Sequence, residues 1–275
     1  MRAGVVGDPI AHSLSPRLMQ RWIEALSLDA DYQRFHISTD QFSTFIEEQA
    51  RTDLSGLNVT LPHKAAALDL AHEATEAARA IGAVNLLTFK QGRIHGDNTD
   101  ARGFLDSLHQ AGADPQAGPA LVLGAGGAAR AIVYALQQAG APEIRIANRS
   151  RASAETLAGV LAPEARIFDW DDRDAGLVDA ALIVNATSLG LAGTDSNLQL
   201  DWSQAPRSGV AVDSVYKPLQ TGFLRDAGIA GLKTIDGLGM LIGQAKPSFA
   251  AFFGCPPPEA VDIRALLVAS LEASA

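Results

Sequence analysis

The sequence predicts an α/β fold in two domains, and three observations carry that prediction. A short apolar run, Leu121-Val122-Leu123, ends in Gly124-Ala125-Gly126-Gly127-Ala128-Ala129 and passes into an Ala-rich run to Ala139. That is the pattern of a buried strand, a tight glycine turn and a helix start. Further apolar runs recur near residues 143–147, 166–168, 181–185, 210–215 and 232–235 with helical stretches between them, which implies a parallel sheet with right-handed crossovers. The chain closes with two helical stretches, 238–253 and 258–271, that have no strand of their own and are separated by Cys255-Pro256-Pro257. They are expected to pack back on the N-terminal half. The expected division is therefore a discontinuous domain of residues 1–101 with 239–275, and a Rossmann-type domain of residues 102–238, with the ligand in the cleft they share.

The N-terminal half reads element by element. Residues 3–7 form an apolar run closed by Gly7-Asp8-Pro9, a strand followed by a loop that holds His12, Ser13 and Ser15. Pro16 opens a helix to about Leu26, with Leu18, Met19, Trp22, Ile23 and Leu26 on its apolar face. Residues 31–37 alternate as a strand and 41–50 read as a helix. Residues 56–61 form the next strand, ending in Pro62-His63-Lys64 at the start of an Ala-rich helix. Residues 83–89 and 93–95 pair as a hairpin around Gln91-Gly92, and a helix runs from Asp100 to about Gln110. Two prolines and two glycines within residues 112–119 mark the loop before the Rossmann half.

Composition excludes several classes. Of 275 residues, 47% are hydrophobic and 19% charged, so the chain is globular and not disordered. A net charge of −9 argues against nucleic acid or an anionic membrane surface as a partner. Cys255 is the only cysteine, which rules out an intrachain disulfide and a cysteine-rich metal site and fits a reducing compartment. The N-terminal apolar run breaks too early for a signal peptide. No stretch approaches the roughly 20 apolar residues of a membrane span. The expectation is a cytoplasmic protein without a metal, acting on a small molecule as a monomer or homodimer.

The glycine turn is where chemistry enters. Gly124 lets the chain turn, Gly126 lets a ligand approach the backbone, and Ala129 is small enough for the helix to press on the strand. The free N–H groups at such a helix start favour a pyrophosphate. An acidic residue at the end of the second strand would bond the ribose hydroxyl of NAD, whereas an arginine accommodates the extra phosphate of NADP. Here Asn148-Arg149-Ser150 ends that strand with no acid beside it, and Arg151 follows. NADP is the expected cofactor, although both arginines also read as solvated helix-start residues.

In the other half, Lys64 falls in a first helical turn, where the helix dipole disfavours a cation and so suits a lysine that exchanges a proton near neutral pH. A surface lysine reads the same way. Asp100 and Ser15 each read equally as helix N-caps. Ser13 and Ser15 could offer two hydroxyls to a carboxylate, and Asn85 is an amide in an apolar strand that needs partners.

Taken together, GDPIAHSLSP (7–16), NVTLPHK (58–64), GAVN (82–85), DNTD (97–100), GAGGAAR (124–130), NRS (148–150), NATSLG (185–190), DSVYKP (213–218) and DGLGMLIGQA (236–245) stand in the order of the shikimate dehydrogenase motifs. The chain resembles that family over nearly its whole length. The resemblance implies reversible NADPH-linked reduction of 3-dehydroshikimate to shikimate in aromatic amino-acid biosynthesis. It matches Lys64 and Asp100 to the catalytic pair, Asp100 also orienting the substrate. Ser13 and Ser15 match the carboxylate-holding pair, with Tyr216 nearby, and Thr60, Asn85 and Gln244 match positions that bond the ring hydroxyls. Gly124, Ala125, Gly126, Gly127 and Ala128 match the pyrophosphate turn. Asn148, Arg149 and Ser150, with Arg151 close by, match the adenosine-phosphate contacts, and Ser214, Gly237 and Met240 match the nicotinamide pocket.

Two positions depart from the family pattern. A second arginine is usual four residues after the first, and here that place is Ser153. Arg151 would substitute for it from the previous turn, or NADP discrimination would be weaker. Ser214 stands where the family carries a large aliphatic residue. The alternatives are a quinate/shikimate dehydrogenase with relaxed substrate or cofactor choice, or a non-catalytic NADP(H)-binding sensor on the same scaffold.

Overall fold

A computed structural model describes residues 1–192 and 198–273. The chain forms two compact units, Met1–Thr99 with Leu241–Ala275, and Asp100–Met240.

The first unit begins with β1 (Arg2–Gly7), α1 (Ser15–Ala25), β2 (Asp31–His36), α2 (Phe42–Gln49) and β3 (Leu54–Val59). These alternate strand and helix, so β2 and β3 flank β1 in parallel. Next come α3 (Lys64–Leu70), β4 (Glu73–Ala74), α4 (Glu76–Ile81), β5 (Leu86–Lys90) and β6 (Arg93–Asp97). The turn between β5 and β6 puts Gln91 at φ +52° and Gly92 at φ +74°, the positive pair that a tight hairpin requires. β5 therefore runs antiparallel to both β3 and β6. The sheet order is β2-β1-β3-β5-β6-β4. Val6, Leu57, Val59 and Leu87 pack beneath Phe42 and Ile46 as its core.

The second unit holds α5 (Asp100–Gln110), β7 (Ala120–Leu123), α6 (Gly127–Gln138), β8 (Ile144–Asn148), α7 (Arg151–Leu161) and β9 (Arg166–Asp169). After a 3₁₀ helix (Trp170–Leu177) come β10 (Leu182–Asn185), β11 (Val210–Asp213), α8 (Gly222–Ile229) and β12 (Lys233–Ile235). All six strands are parallel, in the order β12-β11-β10-β7-β8-β9. The chain starts at the centre with β7 and winds outward in both directions, so β7 and β10 flank the switch point where such sheets bind ligands. Their strands are apolar throughout because helices cover both faces.

Two C-terminal helices follow, α9 (Leu238–Phe253) and α10 (Ile263–Glu272). As expected, they pack on the N-terminal strands and helices of the first unit. Phe249 meets Trp22 edge-on with ring centroids 5.4 Å apart, and Phe252 lies 6.2 Å from Tyr32. A Cβ on Gly56 would sit 2.7 Å from the Phe252 ring, so the glycine makes room for it. Arg17 on α1 donates to the Ser270 hydroxyl of α10 at 2.9 Å.

Three expectations are corrected. The Ala-rich stretch after Lys64 is not one helix: it stops at Leu70, gives two residues to β4, and restarts as α4 under the Thr75 cap, whose hydroxyl accepts from the Ala78 N–H at 3.2 Å. Pro62 is not the first helical residue, because the His63 N–H bonds the Thr60 carbonyl in a turn and the helix opens at Lys64. The last helix starts at Ile263 and not at residue 258, because the Asp262 carboxylate caps it by accepting from the Ala265 N–H at 2.9 Å.

Candidate active site

In the first unit the predicted substrate residues leave from one edge of the sheet. β1 and β3 are parallel, so their carboxyl ends lie together, with Val6 opposite Val59. The Thr60 N–H bonds the Val6 carbonyl at 3.0 Å, and the Asp8 N–H bonds the Leu61 carbonyl at 3.0 Å, which holds the two loops side by side. A Cβ on Gly7 would lie 2.5 Å from the Thr60 methyl, so glycine is needed for this approach.

Ser13 and Ser15 close the first loop. Ser15 is not the N-cap of α1: Leu14 occupies that place, and the Ser15 N–H donates to the Ser13 hydroxyl oxygen at 3.3 Å. Ser13 Oγ thus acts as acceptor within the loop and keeps its own proton for another group. Arg34 donates to the Ser13 carbonyl at 2.8 Å and steadies the turn.

Lys64 is the first residue of α3. Its neighbour His63 is buried, stacks on Phe42 at 4.3 Å and 6°, and bonds the Ile37 carbonyl through Nε2 at 2.7 Å. The carbonyl can only accept, so Nε2 carries the proton. The Lys64 carbonyl accepts from the Val84 N–H at 2.8 Å, which ties the helix start to the segment that carries Asn85.

The amides of Asn85 and Gln244 have a fixed polarity. Asn85 precedes β5 and is 2% exposed. The Thr99 N–H, which can only donate, lies 2.8 Å from Asn85 Oδ1, so Nδ2 is the group 3.1 Å from Gln244 Oε1. The Gln244 NH₂ then has no partner among the described residues and is the donor this side chain offers a ligand.

In the second unit, Asp100 opens α5 and is 2% exposed. Gly124 ends β7 at φ +114°, and a Cβ there would lie 3.0 Å from the Ala186 carbonyl, so the turn depends on glycine. At Gly126 and Gly127 a Cβ would meet nothing within 4 Å. That side of the turn is open, as a backbone cradle for a pyrophosphate requires. Ala125 and Ala128 complete the turn, and Ala129 is fully buried between α6 and the strand. These donors fit the diphosphate of a dinucleotide.

At the end of β8, Asn148 bonds the Ser150 carbonyl at 2.9 Å, and Ser150 caps α7 by accepting from the Ser153 N–H at 3.3 Å. Arg149 is exposed and its side chain makes no ion pair among the described residues. Arg151 differs: it bonds Glu155 at 2.8 Å and Asp169 at 2.9 Å. The two arginines read alike in sequence, but only Arg149 stands without a carboxylate at its guanidinium, and it is the one that fits a second phosphate.

Ser214, Gly237 and Met240 come together at the ends of β11 and β12. A Cβ on Gly237 would lie 2.5 Å from the Ser214 carbonyl, and Ser214 and Met240 line one small hollow with Asp213, Asp236, Phe104 and Ser107. Tyr216 follows on the same loop, and burial raises its phenol above the usual range.

Sequence reading assigned no role to Asp213, yet it organises this loop. Its carboxylate is 1% exposed and accepts from Asn185 Nδ2 at 3.0 Å, the Val215 N–H at 2.9 Å and the Thr221 hydroxyl at 2.6 Å. Burial raises the Asp213 carboxyl to about 6 against these three donors. The signal was a lone acid ending the apolar run Val210-Ala211-Val212.

Comparison with known proteins agrees over the whole length. Residues 5–87 match the shikimate dehydrogenase substrate binding domain, residues 109–192 the shikimate / quinate 5-dehydrogenase family, and residues 237–267 the shikimate 5'-dehydrogenase C-terminal domain. The chain is 50% identical to a shikimate dehydrogenase (NADP(+)) of Maricaulis maris, covering 98% of this chain and 96% of that one. It is 47% identical to the enzyme of that name from Jannaschia, covering 97% of each. Its structure is similar to that of shikimate 5-dehydrogenase from Thermus thermophilus in complex with NADP(H) and shikimate, with a TM-score of 0.88, 37% identity and full coverage of both chains. By these measures, and by the motifs and folds described, the chain belongs to the shikimate dehydrogenase family.

Proposed function

We propose that the chain catalyses the reversible NADP-linked interconversion of shikimate and 3-dehydroshikimate in aromatic amino-acid biosynthesis. The observation that carries this is the 50% identity over 98% of the chain to a shikimate dehydrogenase (NADP(+)). NADPH, when bound, supplies the hydride.

The chain's own residues do the rest. As the ring carbonyl is reduced, its oxygen gains negative charge and needs a proton; Lys64 Nζ gives that proton, and takes it back in the oxidative direction. Asp100 orients the substrate and keeps the lysine near the reacting oxygen. The hydroxyls of Ser13 and Ser15 hold the substrate carboxylate with Tyr216. Thr60, Asn85 and Gln244 bond the ring hydroxyls, Gln244 as a donor. The α6 amides at Gly126 to Ala128 hold the pyrophosphate with Gly124 and Ala125, and Asn148, Arg149 and Ser150 hold the adenosine phosphate. Arg151 supports that loop through its two acids. Ser214, Gly237 and Met240 border the nicotinamide. The protein acts in the cytoplasm as a monomer or homodimer. Among the described residues no helix is long and apolar enough to cross a membrane.

Initial rates with shikimate or quinate, each paired with NADP⁺ or NAD⁺, test the reading. Turnover confined to shikimate with NADP⁺ is expected. Comparable turnover of quinate, or comparable use of NAD⁺, would move the chain to a broader specificity, and NADPH binding with no turnover would make it a sensor.

A further inference from the structure

Behind Asn85 and Gln244 lies a chain of polar groups whose direction is fixed at every step. The Asn85 carbonyl can only accept, and it accepts from the Val59 N–H at 2.9 Å and from the Asn58 side chain at 3.2 Å. The Asn58 group facing it is therefore Nδ2. The same NH₂ lies 2.8 Å from Ser248 Oγ, so Ser248 accepts there and passes its own proton to the Gln244 carbonyl at 3.2 Å. Asn58 Oδ1 must then face away from Asn85, and there it lies 2.7 Å from the Tyr32 hydroxyl. Tyr32 has to donate.

Tyr32 is suited to that single role. Its side chain is 4% exposed on β2, an edge strand, with its ring against Phe252. Burial raises its phenol well above the usual range, so the hydroxyl keeps its proton. Without this donor the Asn58 carbonyl oxygen would be left unpaired in a buried setting, and the amide would gain nothing from its present orientation.

We propose that Tyr32 is a positioning residue for the substrate: its hydroxyl sets the Asn58 amide, which in turn fixes the Asn85 backbone and the Ser248–Gln244 turn of α9. The proposal rests on the reading of Asn85 and Gln244 as substrate contacts given above. Tyr32 touches no ligand itself. It keeps the donor and acceptor pattern of those two amides constant from one turnover to the next.

Steady-state kinetics on the intact protein tests this. Tyr32→Phe keeps the ring against Phe252 and removes only the hydroxyl. It should raise KM for shikimate about three- to tenfold, the effect of one lost buried hydrogen bond, with KM for NADP⁺ changed less than about twofold. Asn58→Ala should do the same. The double variant should be no worse than Asn58→Ala alone, because Tyr32 acts through Asn58. An unmoved KM for shikimate, with only a lower melting temperature, would make the hydroxyl structural and overturn the proposal. So would multiplied effects in the double variant. Ser248→Ala supplies an independent arm and should also raise KM for shikimate. Loss of shikimate turnover in the unaltered chain would instead overturn the substrate reading, and this proposal with it.

Discussion

The Asn85 Nδ2 group donates to Gln244 Oε1 across 3.1 Å, and that one contact decides which end of the Gln244 amide is left for a ligand. Gln244→Glu keeps an oxygen for Asn85 and replaces the outward NH₂ with a second acceptor. It should raise KM for shikimate by roughly tenfold or more, because a hydroxyl that had a donor opposite it now meets a carboxylate. KM for NADP⁺ should stay within about twofold. Equal KM values for shikimate in variant and parent would show that the NH₂ does not read the substrate.

Lys64 is the residue from which proton exchange is expected. Lys64→Ala should lower kcat by about 10²- to 10⁴-fold, the usual range for loss of a general acid or base. NADPH binding, followed by fluorescence titration, should be almost unaffected. A kcat near that of the parent would remove Lys64 from the mechanism.

The arginines near the end of β8 separate by their partners. Arg149 has no carboxylate at its guanidinium, whereas Arg151 already bonds Glu155 and Asp169. Arg149→Ala should raise KM for NADP⁺ about 10- to 100-fold, as loss of a charge-assisted contact does, and change KM for NAD⁺ little. Arg151→Ala breaks only exposed ion pairs and should shift KM for NADP⁺ by less than about threefold. If Arg151→Ala had the larger effect, the assignment of the second phosphate would pass to Arg151.

Asp213 ties stability to pH. Its carboxyl is raised from 3.8 to about 6 by burial, so between those values the folded chain holds a proton that the unfolded chain has released. The stability linked to this group is complete below about pH 4 and falls away as pH rises through about 6, by at most about 3 kcal/mol. Asp213→Asn cannot ionise. Urea unfolding across this range should show the difference in unfolding free energy, variant minus parent, rising with pH. A flat difference would place the ionised carboxylate at no disadvantage in the fold.

The second unit was readable in the sequence because its strands are buried on both faces and its glycine turn has a distinctive composition. Each of β7 to β12 lies within about two residues of an apolar run that turn residues close. The C-terminal helices were readable for the opposite reason, since they have no strand to cover. The break after Leu70 was not legible: Ala-rich composition favours a continuous helix, and the two-residue β4 exists only through its pairing with Glu73 opposite His95 on β6. Arg151 looked like a phosphate contact because Asp169 is 18 residues away and meets it only in the folded sheet. Tyr32, Asn58 and Ser248 read as ordinary strand and helix residues, because a polar chain assembled from β2, β3 and α9 has no local pattern.

The discontinuous first unit also has a consequence for how the protein is made. Asp100–Met240 is one uninterrupted stretch, whereas Met1–Thr99 lacks its covering helices until Leu241–Ala275 has been translated. On the ribosome the parallel sheet can close while Trp22 and Tyr32 still wait for Phe249 and Phe252. The earliest residues to emerge are thus among the last to be sealed, and the nascent N-terminal sheet is the part of the chain most in need of a chaperone.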